Sequence, residues 1–402
     1  MQNIGLILLV VSLSFLVLLL PKVYKSIGWR ATITPLASII GSGFLVLGPI
    51  LASSFGAWAV FAMAALCGVA YLFGHAIRFN ITRLYQTNHR SDAERFLEKL
   101  ASWALAFAYI ISVSYYLNLF GAFGVSLTAF DTPFAAKSLT SAVFVVILVV
   151  GWTKGFTALE RMEQVSVSIK LAIIVGLLVG LILILARNVS TNTLVFTPST
   201  LSGWPALTLL FGLLVTVQGF ETSRYLTDEY SANMRVRSMR WSQWLSTLIY
   251  LAYIAMVSLV FTPSEIITTE TGIIDMMAKI SPVLPILLVA AALSAQFSAS
   301  VADTGGAGGL FAEVTDNRIP PKFAYALLTA IGLIFTWVAD VFLIIRYASQ
   351  AFALYYTLQA CIAAIGVFHQ KKSWLNTVLY LGLAILGMFI LVFGTSFEAE
   401  LH

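Results

Sequence analysis

Long apolar runs separated by short polar ones fill the chain, near residues 4–20, 32–52, 57–79, 101–128, 139–155, 164–186, 205–228, 241–262, 284–312, 322–338, 341–367 and 374–394. A bilayer core about 30 Å thick takes about 20 mostly apolar helical residues to cross. The pattern therefore predicts about twelve membrane-spanning helices. Lipid offers no water to backbone N–H and C=O groups, so only helices and closed barrels span it. Barrel strands would alternate apolar and polar, whereas Leu171 to Leu185 is continuously apolar. The expected fold class is an all-α polytopic membrane protein.

Composition agrees with the pattern. Of 402 residues, 59% are hydrophobic and 10% charged, and mean hydropathy is +0.92. The first run carries no charged side chain from Met1 to Leu20 and no small-x-small cleavage site before Pro21, so it reads as a retained helix and not as a signal peptide. Cys67 and Cys361 fall inside runs and read as packing residues. Net charge is +5, and its distribution is asymmetric. With Lys22, Lys25 and Arg30 placed in the cytoplasm and sides alternating from there, seventeen of the 23 Lys and Arg fall in cytoplasmic connections. Positive residues prefer that side. The reading is an integral protein of a bacterial inner membrane with both termini extracytoplasmic. Its charge calls for a lipid bilayer and for no nucleic-acid partner.

The connections leave no room for a folded catalytic head. The longest lie near 80–100, 187–204 and 263–283. No His-rich metal cluster, nucleophile elbow or phosphate loop is present. No catalytic residue, metal or cofactor is expected, and the chain reads as a non-enzyme.

Two runs are interrupted. The second holds Pro35, then Gly41-Ser42-Gly43, then Gly48-Pro49; the seventh holds Gly212 and then Gln218-Gly219-Phe220-Glu221. Interrupted spans at corresponding positions of two halves point to a binding site between inverted repeats. Five runs extend from each interruption, with one run before and one after. An odd number of spans per half gives the halves opposite orientations. Small residues also allow close helix packing, but the paired interruptions favour a site. Amides freed at Gly41 to Gly43, with the dipole of the following half-helix, suit an anion.

Ionisable residues cost roughly 2.5–3.5 kcal/mol at a span centre on insertion scales. Lys170, Glu221, Arg224, Asp303 and Arg346 lie inside runs. Glu221 and Arg224 are three apart and share a helix face; they either neutralise each other, or gate or contact a zwitterionic substrate. Asp303 precedes Gly305, Gly306, Gly308 and Gly309, and either Lys170 or Arg224 is its candidate partner. Tyr115 and Tyr116 read first as packing residues, with lining a site as the alternative.

The motif Ile39-Ile40-Gly41-Ser42-Gly43-Phe44, continuing to Leu47-Gly48-Pro49, resembles the first-helix signature of the amino acid–polyamine–organocation (APC) transporters. Phe55-Gly56-Ala57-Trp58 resembles the start of their second helix, and Gly155 to Lys170-Leu171 their fourth-to-fifth passage. Gly219-Phe220-Glu221 with Asp228-Glu229 resembles their sixth helix. Asp316-Asn317-Arg318-Ile319-Pro320 resembles the end of their eighth, with Asn317 in place of glycine. The resemblance spans about residues 30–370. The chain departs from the family by its added first helix, by Arg224, and by lacking an acidic residue near His75.

The resemblance implies a five-plus-five inverted-repeat (LeuT-type) transporter fold. Residues 1–30 would be an extra helix and linker, 31–187 and 205–368 the two repeats, and 369–402 a last helix and tail. It implies a secondary active permease for amino acids or related amines, working by alternating access. Ile40, Gly41, Ser42 and Gly43 would offer amides to a substrate carboxylate. Carbonyls around Val215, Thr216, Gln218 and Gly219 would receive its amino group, with Phe220 as a gate or wall. Lys170 would stand as a fixed cation where sodium sits in sodium-coupled relatives, reaching Ser298, Ser300 or Asp303 and making the transporter proton-coupled or an exchanger. An inorganic-ion transporter using Asp303 and Glu221, and a non-transporting sensor, are the alternatives.

Overall fold

The computed structural model describes residues 2–41, 43–86, 91–154, 156–226, 230–269, 271–315, 318–370 and 374–395. Ser42 lies outside the described residues, as do Gly155, Asp228, Glu229, Asp316 and Asn317 of the motifs. The described residues form helices and connecting turns, with no strand among them.

The chain begins with α1 (Gln2–Leu19), a short α2 (Pro21–Tyr24) and α3 (Ile27–Ile39). A gap separates α3 from α4 (Gly43–Phe55), and a 3-10 turn joins α4 to α5 (Ala59–Gln86). There follow α6 (Asp92–Val125), α7 (Pro133–Lys154) and α8 (Phe156–Ser190). The second interrupted region is α9 (Gly203–Gly212) and two 3-10 turns, Leu214–Val217 and Phe220–Tyr225. The chain closes with α10 (Ala232–Val260), a short α11 (Gly272–Ala278), α12 (Leu284–Val314), α13 (Pro321–Val338), α14 (Val341–His369) and α15 (Trp374–Phe393).

Among the described residues, nine helical stretches are long and apolar enough to cross a membrane. Three features account for the difference from the twelve expected. The runs near 32–52 and 57–79 give one stretch, Gly43–Leu84. The first run gives a shorter apolar helix, Ile4–Leu19, and the seventh gives only Gly203–Gly212 before it passes into 3-10 turns. The expected connection at 80–100 is also mostly helix. Ser91 caps α6, accepting from the Glu94 N–H while the Glu94 carboxylate accepts from the Ser91 N–H, a reciprocal box that starts the helix early.

α6 packs against both α12 and α14, α12 also against α8, and α10 against α3 and α5. These helices enclose the two interrupted regions. α15 lies on α14, and α1 lies on α8, where Ile7 is fully buried. Outward faces are strongly apolar, with Leu16, Phe61, Val149, Leu248 and Ile385 each at least half exposed. A soluble surface does not carry so much exposed aliphatic area; a lipid-facing one does.

Pro49 within the apolar α4 frees a carbonyl, and a neighbour takes it up. Pro49 has no N–H to give to Leu45, and the Tyr253 hydroxyl donates to that carbonyl at 3.0 Å. Gly48 makes room for it, since a Cβ there would lie 2.5 Å from the Tyr253 hydroxyl.

Candidate functional site

The two interruptions touch. Helix α3 ends at Ile39, and Ile40 leaves helical geometry with φ −82° and ψ 56°. Gly219, at φ +113°, turns the chain between the two 3-10 segments. That region favours glycine. A Cβ on Gly219 would meet the Ile39 nitrogen and the Ser38 carbonyl carbon at 2.6 Å. In return Gly43 faces Thr216, whose Cβ would lie 2.7 Å from a Cβ on the glycine. Each break thus holds a glycine against the backbone or side chain of the other. The Tyr250 hydroxyl lies 2.8 Å from the Ile39 carbonyl oxygen and 2.6 Å from that of Thr216. Its single hydrogen is shared between the two breaks.

Lys170 is fully buried on α8. Its Nζ donates to the carbonyls of Ala37 at 2.8 Å and Ile40 at 2.7 Å, and to Ser298 Oγ at 3.1 Å. These are carbonyls left over where α3 stops, the negative end of a helix. The ammonium therefore joins the first break to α12. Of the three partners considered on α12, the described contacts join Lys170 to Ser298. Ser300 donates to the Gln296 carbonyl within its own helix, at 2.8 Å.

Asp303 pairs with neither Lys170 nor Arg224. It accepts from Ser38 Oγ at 3.0 Å and from Ser112 Oγ at 2.5 Å. Two hydroxyls, one from the first break and one from α6, hold its carboxylate. Glu221 and Arg224 do not pair either. Their segment is a 3-10 turn, and the two side chains part. Glu221 Oε2 accepts from the Gly219 N–H at 3.0 Å and from the Tyr356 hydroxyl at 2.8 Å. Arg224 pairs with Glu98 of α6 and donates to Gln359 of α14.

The remaining predicted residues line the same region. Val215 N–H donates to Ser349 Oγ at 3.0 Å, and that hydroxyl donates to the Gly212 carbonyl at 2.6 Å. Gln218 Nε2 donates to the Tyr116 hydroxyl at 2.7 Å, and Tyr116 also backs Gly41. Phe220 is fully buried and stacks on Tyr356 at 5.2 Å.

Sequence reasoning missed several members. Ser38 lies one residue before the α3 terminus, and Ser112 is a polar residue inside the apolar run 101–128 that forms most of α6. Tyr250 and Tyr253 are three apart on α10, a spacing that puts both on one face. Their signal was polar placement within apolar runs. Glu98 falls in the connection expected near 80–100, and only the early start of α6 brings it to Arg224.

The cavities beside the first break are small. Two cavities of about 10 Å³ flank the first break, one lined by Ile40, Gly41 and Phe44 with residues of α8 and α12, the other by Ile39, Val217 and Tyr250 with residues of α5 and α10. Such a space is about the size of one water molecule.

A family model described as an APC superfamily transporter matches residues 21–394. An uncharacterized protein of Aquifex aeolicus (strain VF5) is 39% identical over 379 residues, covering 92% of this chain and 91% of its own length.

Proposed function

Given that the chain belongs to an APC superfamily transporter family, we propose that it is a secondary active permease for amino acids or related amines, driven by protons or exchange. The observation that carries this reading is the Lys170 ammonium bound to the Ala37 and Ile40 carbonyls and to Ser298. A tethered cation there neutralises the end of the first broken helix without a bound metal ion. A coupling sodium has no work left to do at that place.

The repeats, residues 31–187 and 205–368, would place the two interrupted helices across from each other. The contacts of Gly219 with Ser38–Ile39 and of Gly43 with Thr216 support that placement. Amides of Ile40, Gly41, Ser42 and Gly43 would take a substrate carboxylate. Phe220, stacked on Tyr356, would form a wall. Because the space beside the breaks is about 10 Å³, substrate enters only when the helices around it part. Opening to one side and then the other is alternating access.

The test is uptake by proteoliposomes from a mixed panel of amino acids and amines, with and without sodium and a pH gradient. Uptake of at least one organic solute is expected, unchanged by sodium and either stimulated by the pH gradient or dependent on solute loaded inside. Uptake that required sodium would remove the proposed role of Lys170. Flat uptake for the whole panel would remove the permease reading.

A further inference from the structure

Away from the breaks, a groove of about 900 Å³ lies between the starts of α3 and α10. That is the volume of a ligand pocket. The two helices run side by side in the same direction. Their first turns line the groove, and Tyr250, further along α10, reaches Ile39 at the end of α3. On α10 the wall includes Arg237, Ser238, Trp241, Trp244, Leu245 and Leu248. Steps of three and four residues put these on one helix face. Trp241, Trp244 and Leu248 are each more than half exposed.

The wall is graded along its length. Arg237 and Ser238 stand at one end, two indoles follow, and the leucines come last. Arg237 to Leu248 covers about 16 Å at about 1.5 Å per residue, close to half of a bilayer core about 30 Å thick. The polar end is positive. No Asp or Glu lines the groove, and Arg237 has no ion pair among the described residues. Lys25 directly precedes Ser26, another wall residue, and Lys22 lies a turn earlier; both lysines are exposed. α3 starts there with no side-chain cap from Ser26, and a helix start carries partial positive charge. Trp29 also lines the groove, and its Nε1, a hydrogen-bond donor, is buried with no hydrogen bond.

We propose that this groove holds an anionic phospholipid, with its phosphate at Arg237 and one acyl chain along Trp241 to Leu248, and that the lipid braces α3 against α10. The order of the wall is the order of a lipid in one leaflet: charged headgroup, interfacial region, hydrocarbon. Tryptophans sit at the middle of these levels in membrane proteins, and basic side chains at the surface attract anionic headgroups. Trp29 Nε1 and the start of α3 supply further donors to phosphate or ester oxygens. The inference goes beyond the permease reading and does not depend on it.

The test uses the delipidated full chain in a neutral detergent. The probes are dioleoylphosphatidylglycerol and dioleoylphosphatidylcholine, which share their chains and differ in net charge. Affinity for the first lipid bound is read by native mass spectrometry, and bracing by the thermal midpoint. Phosphatidylglycerol is expected to bind at least about tenfold more tightly than phosphatidylcholine and to raise the midpoint. Arg237→Gln should weaken phosphatidylglycerol by about tenfold and leave phosphatidylcholine unchanged. Gly28→Phe should weaken both lipids, because a Cβ on Gly28 meets nothing nearer than 4.0 Å and the ring fills the groove. Lys322→Gln removes a cation at the start of α13, outside the groove, and should change neither. Equal binding of the two lipids to wild type overturns the proposal. So does phosphatidylglycerol affinity within about twofold of wild type in Arg237→Gln, or a wild-type midpoint that phosphatidylglycerol leaves unmoved. Inorganic phosphate alone giving the full midpoint rise would show an anion site without a lipid, and a dimer that Gly28→Phe dissociates would show a second copy in the groove; either overturns it. If Arg237→Gln fails to elute as a monodisperse species, the wild-type comparison of the two lipids and Gly28→Phe decide.

Discussion

Charge is buried in two ways in this molecule. Where α5 and α14 finish and α6 begins, cations meet carboxylates or amides. Arg224 pairs with Glu98 and donates to Gln359, and Arg83 pairs with Glu94. Arg78 donates to Gln243, and Asn80 donates to the Gln359 carbonyl and side chain at 2.9 Å each. At the breaks the pairing fails. Lys170 holds carbonyls and a serine, while Asp303 and Glu221 hold hydroxyls and one N–H. The first arrangement ties α5, α6, α14 and the second interrupted region into one end of the bundle. The second leaves opposite charges apart, each held by neutral partners. Lys170 and Asp303 lie on two packed helices, α8 and α12, and do not pair.

That contrast predicts where mutation hurts stability and where it hurts transport. Arg224→Met should have the largest effect on stability. Removing one member of a buried pair costs about 3–5 kcal/mol, because the other is left uncompensated. The expected result is a large fall in thermal midpoint of the detergent-solubilised protein. Arg224→Met combined with Glu98→Gln should recover part of it. A midpoint unmoved by Arg224→Met would erase the distinction between the two regions.

Lys170→Met should reverse the pattern. It removes a charged donor from two carbonyls and a serine, at about 1.5–3 kcal/mol for each hydrogen bond to a charged group, but it also removes the cost of burying the ammonium. The net loss of thermal stability should be smaller than for Arg224→Met. Initial uptake rate should fall by at least about tenfold, the factor that about 1.4 kcal/mol represents. Intact uptake in this variant would sink the role given to Lys170.

The tyrosines of α10 come next. Tyr250→Phe strips the one hydroxyl shared by the Ile39 and Thr216 carbonyls, which joins the two breaks. An orphaned buried acceptor costs about 1–3 kcal/mol. Tyr253→Phe orphans only the Leu45 carbonyl within the first interrupted helix. Both should lower the thermal midpoint by similar amounts, and only Tyr250→Phe should also change uptake. Equal uptake defects would mean that the hydroxyl bridging the breaks has no special part.

The sequence carried more of the fold than of the wiring. Apolar runs placed α5 to α8, α10 and α12 to α15, because lipid-facing helices must be continuously apolar whatever they pack against; the short α11 falls in the connection expected near 263–283. Glycine and proline placed both breaks, since backbone departures need those residues locally. The run at 205–228 misled, because apolar content does not distinguish an α-helix from 3-10 turns closed by Ser349 and Tyr250 from other helices. Side-chain partners were the least legible. The three-residue spacing of Glu221 and Arg224 assumed an α-helix that is not there. Asp303 finds Ser38 and Ser112, residues 265 and 191 positions away, and no local pattern announces such contacts. Lys170 was placed by resemblance; its carbonyl partners follow from where α3 stops.

The smallest effect should come from a charge outside both regions, which makes it a control for the comparison. Glu265, in the turn after α10, accepts from the Thr262 N–H at 3.0 Å, from the Thr262 hydroxyl at 2.9 Å and from Lys279 at 3.2 Å. The Thr262 N–H leads these in holding its carboxyl below the usual carboxylate range. A depressed folded-state value means that the carboxylate stabilises the fold at neutral pH and stops doing so as pH falls through that value. Lys279 and Glu265 are both about one-third or more exposed, and exposed pairs contribute about 0.2–1 kcal/mol, less at high salt. Lys279→Ala should therefore lower the thermal midpoint slightly at pH 7 and low salt. The difference from wild type should shrink as the buffer is acidified towards and below the ordinary carboxylate range, and as salt is raised. The Arg224→Met loss should keep most of its size in high salt, because water and ions reach neither of its partners well. Equal salt sensitivity of the two variants would show that burial does not separate these charges, and with it the contrast between the tied end and the open centre would lose its physical basis.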